Sequence, residues 1–286
     1  MTTWVDRQAY PFESYYLDLP AGRMHYIDEG AGDVILMVHG TPTWSFLYRH
    51  LIIGLRDNYR VIAPDHLGFG LSDKPRDYTY RPADQAQNLH AFIDHLGLKD
   101  ITLVVHDFGG PIGLSYGINQ PENVRRLLLF NTWMWSLGDY RDKVILGRIF
   151  GSPLGRWLYK RFGFSVNVIL PGAYGNRSML TPDIHNHYRR PLDDDSARHA
   201  TWVYARELLD SGEWYESLWA QRAVLANKPA LLLWGMKDPA FGPKYLERWQ
   251  IVFSRAQTHT FPETGHFVQE EQGEKLLSII TEFLNA

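Results

Sequence analysis

The chain has 286 residues, 45% hydrophobic and 21% charged, with a formal net charge of −3. This is ordinary globular composition, long enough to bury about three quarters of the unfolded surface in one large domain or a domain with an insertion. No basic run suggests a nucleic-acid footprint, the lack of cysteine excludes disulfides and thiol nucleophiles, and no apolar run is long enough to span a bilayer.

The opening Met1-Thr2-Thr3-Trp4-Val5-Asp6 lacks a basic region followed by an apolar run. No secretory leader is therefore expected, and the expected location is cytoplasmic. Short apolar runs then alternate with helical spacing. Strands are expected at Met24–Ile27, Val34–Val38, Arg60–Ala63, Ile101–Val105, Arg126–Phe130 and Ala230–Trp234, with a shorter last one at Gln257–Phe261. Between Asp84 and Leu96, apolar residues Ala86, Leu89, Phe92, Ile93 and Leu96 recur at helical spacing, and Gly97 supplies the stop. A final helix is expected from about Gln272 through Phe283. The pattern predicts an α/β fold, a mostly parallel twisted sheet flanked by helices.

The alternation breaks between Trp133 and Asn227, a stretch rich in Trp, Tyr and Arg with no strong strand run. Such a length is far beyond a usual connection, so residues 133–227 are expected to form an inserted helical cap. The core domain would comprise residues 1–132 and 228–286.

An ordered set of motifs carries the chemistry. Asp107 follows the apolar run Ile101–Val105 and precedes Gly109-Gly110 and a helix. An aspartate in isolation reads as a helix cap. Here the strand before it and the small residues after it make it the tip of a nucleophile elbow. Asp238 and His266 follow in the order acid, base. The position after Leu127–Phe130, the other place for such an acid, holds Asn131-Thr132-Trp133 and no carboxylate. An aspartate nucleophile attacks carbon to form an ester, which water activated by histidine then hydrolyses. His39-Gly40-Thr41-Pro42 opens the loop after a strand, so the backbone N–H groups of Thr41 and Phe108 are expected to form an oxyanion hole facing Asp107. Trp44, Trp133, Trp202 and Phe267 are the expected pocket walls. The loop Asp65–Asp73 is read as structural. No metal-ligand spacing or phosphate-cradling loop is present, so neither metal nor cofactor is expected.

Val38–Arg49, Pro64–Pro75, Val105–Gly110 and Gly265–Glu270 resemble the α/β-hydrolase superfamily, specifically the haloalkane dehalogenases, across residues 20 to 132 and 228 to 284. The resemblance implies an α/β-hydrolase fold and hydrolytic cleavage of a carbon–halogen bond, with Asp107 as nucleophile, His266 as general base and Asp238 as its acid partner. Its partners would be a small apolar organic substrate and water, with no nucleic acid and no membrane, and the protein would be a monomer or small homo-oligomer. Two positions depart from the pattern. The family usually places Trp after the nucleophile and Asn or Glu after His-Gly, where this chain has Phe108 and Thr41. Phenylalanine has no N–H to offer a departing halide. Epoxide hydrolases share the aspartate nucleophile but need a pair of cap tyrosines, for which Tyr159, Tyr174, Tyr188 and Tyr204 are available. A β-lactone-cleaving hydrolase is a further alternative.

Overall fold

A computed structural model describes residues 4–286, so the first three residues of the N-terminal reading lie outside the described residues. Strands β1 (Tyr15–Leu19) and β2 (Gly22–Glu29) form a hairpin, followed by β3 (Val34–Val38), helix α1 (Arg49–Leu55), β4 (Arg60–Pro64) and α2 (Pro82–His95). Then come β5 (Ile101–Asp107), α3 (Gly109–Asn119) and β6 (Val124–Thr132). Between β6 and β7 (Ala230–Gly235) the described regular structure is all helical: α4 (Arg141–Gly151), α5 (Pro153–Phe162), the single turn α6 (Leu170–Gly172), α7 (Pro182–Arg189), α8 (His199–Asp210) and α9 (Gly212–Ala220). The chain closes with α10 (Pro243–Val252), β8 (Gln257–Phe261), α11 (Val268–Glu271) and α12 (Gly273–Asn285).

The strands form one eight-stranded sheet in the order β1-β2-β4-β3-β5-β6-β7-β8. The first two pairings are antiparallel and the rest parallel. Continuous apolar runs form the middle strands because both faces are covered. In β3, Ile35 and Met37 join the core beneath α1 and α12, while Leu36 and Val38 join the core beneath α2, α3 and α10. The two-residue period thus splits one hydrophobic run between two cores.

Strand β1 is absent from the sequence reading. It has no apolar run to betray it, since Leu17 alone of its five residues is buried. The signal that could have found it is the short Pro20-Ala21-Gly22 turn to β2. The loop Asp65–Asp73 is structural, as read. Asp65 is fully buried and accepts hydrogen bonds from Ser45 N at 2.7 Å, His25 Nδ1 at 2.8 Å and Leu71 N at 2.9 Å. Burial opposes its charge, but His25, His39 and the backbone donor outweigh this and hold its pKa at about 2.

A buried ion pair joins α1 to the short helix α11. Arg49 grips Glu270 with two bonds, at 2.5 and 2.8 Å, and the Tyr188 hydroxyl also donates to Glu270. This clamp fixes the chain just beyond His266.

Candidate active site

The C-terminal ends of β3, β5, β6, β7 and β8 lie side by side in the sheet, and the loops leaving β3, β5, β7 and β8 meet above it. This edge is where parallel α/β sheets carry ligands. Strand β5 is buried along its whole length and delivers Asp107 at its last position with φ +52°. That left-handed conformation costs on the order of 1–3 kcal/mol and persists only where the surroundings enforce it. They do so here: the Thr132 hydroxyl donates to the Asp107 carbonyl at 2.6 Å. At Gly109 a Cβ would lie 2.1 Å from the Val38 carbonyl oxygen, so only glycine allows α3 to start this close to β3.

Asp107 is 5% exposed, and its Oδ1 accepts the Thr41 backbone N–H at 2.8 Å. Gly40 permits this approach, since a Cβ there would sit 2.1 Å from the same oxygen. On the other side, His266 Nε2 lies 3.6 Å from Asp107 Oδ2, while His266 Nδ1 bonds Asp238 Oδ2 at 2.7 Å. The second Asp238 oxygen accepts the Ala240 N–H at 2.7 Å. The backbone holds His266 at both ends: its N–H donates to the Ala173 carbonyl at 2.8 Å, and its carbonyl accepts from His106 Nε2 at 3.0 Å. Burial disfavours the His266 imidazolium, but Asp238 and Asp107 outweigh that and push its pKa up to about 10.

The expected Asp107, Asp238 and His266 are therefore brought together, and Thr41 and Phe108 lie beside them. Asn131 does something else. Its side chain accepts from Gly235 N at 2.8 Å and donates to Gly235 O at 3.0 Å, stapling β6 to β7.

Asp107 and His266 open onto a cavity of about 270 Å³. Thr41 and Phe108, read as the oxyanion hole, line it together with Phe267. Trp44, Trp133 and Trp202 do not, which corrects the expected wall. Trp44 packs with Tyr10 and Phe46 and donates its indole N–H to the His187 carbonyl at 2.9 Å. The Trp202 indole donates to the Phe150 carbonyl at 3.1 Å. Trp133 stands one ring behind the wall, stacked on Phe241 at 4.4 Å and edge-on to Phe108 at 4.7 Å. These rings are fully or mostly buried for packing, which a tryptophan-rich sequence cannot distinguish from pocket lining.

The cap side of the wall comes from residues the sequence reading did not single out, among them Lys143, Leu146, Phe150 and Ser165. A signal was present. Lys143, Leu146 and Phe150 follow one another at spacings of three and four, placing them along one face of α4. Of the four cap tyrosines, Tyr159 alone lines the cavity. The Tyr188 hydroxyl is held by Glu270, and the Tyr174 and Tyr204 hydroxyls are buried without partners. Among the described residues no cluster of His, Cys, Asp and Glu could hold a metal ion. No described helix is long and apolar enough to cross a membrane.

Residues 33–272 match the model of the alpha/beta hydrolase fold family. The chain is 37% identical over 279 residues to haloalkane dehalogenase 2 of Mycobacterium bovis, covering 97% of this chain and 96% of that protein. It is 33% identical to a cis-3-alkyl-4-alkyloxetan-2-one decarboxylase of Shewanella oneidensis, covering 96% of this chain and 89% of that protein. The crystal structure of a putative ancestral haloalkane dehalogenase superposes with a TM-score of 0.84 at 27% identity, covering 95% of this chain and 100% of that one. With a sheet edge that gathers Asp107, Asp238 and His266 on one cavity, and relatives of this similarity along its whole length, the chain belongs to the haloalkane dehalogenase family of the α/β-hydrolase superfamily.

Proposed function

We propose that this protein hydrolyses the carbon–halogen bond of small haloalkanes, with Asp107 as the attacking group. The observation that carries the reading is a carboxylate held by the Thr41 N–H at 2.8 Å, 3.6 Å from a histidine, and facing a mainly apolar cavity. An oxygen of Asp107 displaces the halide and forms an alkyl ester. The Thr41 and Phe108 backbone N–H groups are the proposed oxyanion hole for the second step, in which water attacks the ester carbonyl. His266 takes the proton from that water, Asp238 fixes the imidazole and stabilises its charged form, and the alcohol leaves as the carboxylate is restored. The net products are alcohol, halide and one proton.

The electrostatics support this order. At neutral pH the resting His266 is an imidazolium, since its pKa is pushed up to about 10. Ester formation removes the charge of Asp107, one of the two carboxylates that hold the proton. The imidazole is then released toward its neutral form at the step that requires a base.

For the leaving halide, the proposed side-chain donor is the Thr41 hydroxyl, which is buried without a partner at the cavity wall. The Trp133 indole N–H is also buried without a partner, behind Phe108 and Phe241. Residues 133–227 are the proposed cap and residues 1–132 and 228–286 the proposed core. The proposed setting is cytoplasmic, without cofactor or metal, as a monomer or small homo-oligomer.

A second reading, cleavage of a β-lactone, draws on Phe108 standing where the family usually has Trp, and on the oxetan-2-one decarboxylase relative. Epoxide hydrolysis is less well supported, because Tyr159 is the sole one of the four tyrosines at the cavity. Incubation with 1-bromobutane, an epoxide and a cis-3,4-dialkyl oxetan-2-one separates them. Bromide and butanol in equal amounts are expected. Diol from the epoxide, or carbon dioxide from the lactone, without bromide from the first substrate, would overturn the reading.

A further inference from the structure

Besides His266, the cavity wall contains a cationic side chain, Lys143, and its placement is unusual. Lys143 projects from α4 on the face it shares with Leu146 and Phe150, and is 6% exposed. Buried lysines are rare without a paired charge or a full set of acceptors. Lys143 has neither. Its ammonium donates no hydrogen bond to any described residue, and its nearest carboxylate is Asp142, at 3.7 Å and itself well exposed. What surrounds it instead is aromatic: the Phe241 ring centroid is 5.8 Å away and that of Tyr245 is 6.0 Å. Phe241 is itself part of the cavity wall. The buried Ser165 hydroxyl, also without a partner, is a second polar group on the cap side of the wall.

A plain haloalkane is uncharged when it binds, and its departing halide leaves beside Asp107, where the Thr41 hydroxyl is the proposed donor. The sheet-side wall bears Asp107 and His266, with Asp238 behind them and within electrostatic reach of Lys143, so an anion entering the cavity would meet two carboxylates and a single imidazolium there. A second cation, supplied here from the helical side by α4, is what an anionic substrate would require.

We propose that Lys143 is the recognition group for a carboxylate carried at the end of the substrate remote from the reacting carbon, so that the cavity takes halocarboxylates of the ω-halo type in preference to plain haloalkanes. This rests on the dehalogenase reading for its chemistry but not for its binding. The carboxylate is a handle and is unchanged by the reaction. The bromide leaves as Asp107 bonds carbon, and water later replaces the ester oxygen on the enzyme, giving the ω-hydroxy acid.

The test compares 6-bromohexanoate with 1-bromohexane in the wild type, Lys143→Met and Lys143→Arg, reading bromide release. The ratio of kcat/KM for the acid to that for the alkane is expected to fall about tenfold or more in Lys143→Met, through KM, and to be largely kept in Lys143→Arg. Calorimetric binding of hexanoate, which has no halogen, is measured on the same proteins and is expected to weaken to a similar degree in Lys143→Met alone. An unchanged ratio with unchanged hexanoate binding would overturn the proposal. Release of no bromide from either substrate, with hexanoate still bound through Lys143, would instead overturn the dehalogenase reading. If Lys143→Met fails to fold, Lys143→Gln is read in its place.

Discussion

The two walls of the cavity differ in how their polar groups are held. On the sheet side, Asp107 and Asp238 each accept a backbone N–H, and His266 is fixed by Asp238 and at both ends of its backbone. On the helical side, the Ser165 hydroxyl has no hydrogen-bonded partner, and the Lys143 ammonium has only a loose ion pair with the exposed Asp142 at 3.7 Å. A group whose bonds are all satisfied has a fixed position and pKa, which suits bond-making. A group left unsatisfied has capacity for a ligand, which suits selection. The proposed division is thus chemistry below and choice of substrate above.

The largest effect should come from the sheet side. Asp107→Ala is expected to lower turnover by about 10⁴-fold or more while the circular dichroism spectrum stays that of the wild type. Near-normal bromide release from that variant would break the division outright, because the attacking atom would have to come from elsewhere.

Phe108 marks the seam between the walls, packed on Trp133 at 4.7 Å and Tyr204 at 4.5 Å. Without an indole donor here, chlorides are expected to react weakly and bromides better. Phe108→Trp should improve chloride turnover, by up to about 2.7–4 kcal/mol of barrier if the added N–H matches an oxyanion donor. The larger ring should also cost about 1–3 kcal/mol of stability by overpacking, readable in a urea titration. Robust chloride turnover in the wild type with no gain in the variant would assign the halide to existing donors such as the Thr41 hydroxyl.

A smaller effect concerns the charge state of His266. Its folded pKa of about 10 lies above the ordinary 6.5, so its contribution to stability is fully present below about pH 6.5 and is lost as pH rises through about 10. Asp107→Asn removes one of the two carboxylates responsible. The imidazole titration followed by NMR should move to lower pH in that variant, and the alkaline loss of stability should begin earlier. An unmoved titration would mean that Asp238 alone holds the proton.

The same contrast explains what could be read from the sequence. The sheet-side site was legible because it depends on backbone geometry that few residues permit: a strand, an aspartate, two glycines and a helix leave little choice. Acid and base then follow at the ends of later strands, where the fold must deliver them. The sheet was legible through its buried runs but lost β1, which buries Leu17 alone and so lacks a pattern. The helical wall was not legible in the same way. Trp44, Trp133 and Trp202 have the composition of pocket residues but turn their rings into packing, with two of their indoles bonded to carbonyls. Lys143 has the composition of a surface residue yet lies inside. Which face of a helix meets a cavity depends on how α4 packs against α8, and no local pattern states that.

The account turns on a covalent ester at Asp107 whose breakdown alone requires His266. A carboxylate is ionised at neutral pH and needs no base to attack, whereas water attacking an ester must lose a proton. The decisive measurement is therefore the intact mass of His266→Phe after mixing with 1-bromobutane, with bromide counted in parallel. The account predicts about one equivalent of bromide per chain, then arrest, with a butyl group added and mapped to the peptide that contains Asp107. Continued multiple turnover, or no adduct although substrate binds, would contradict it.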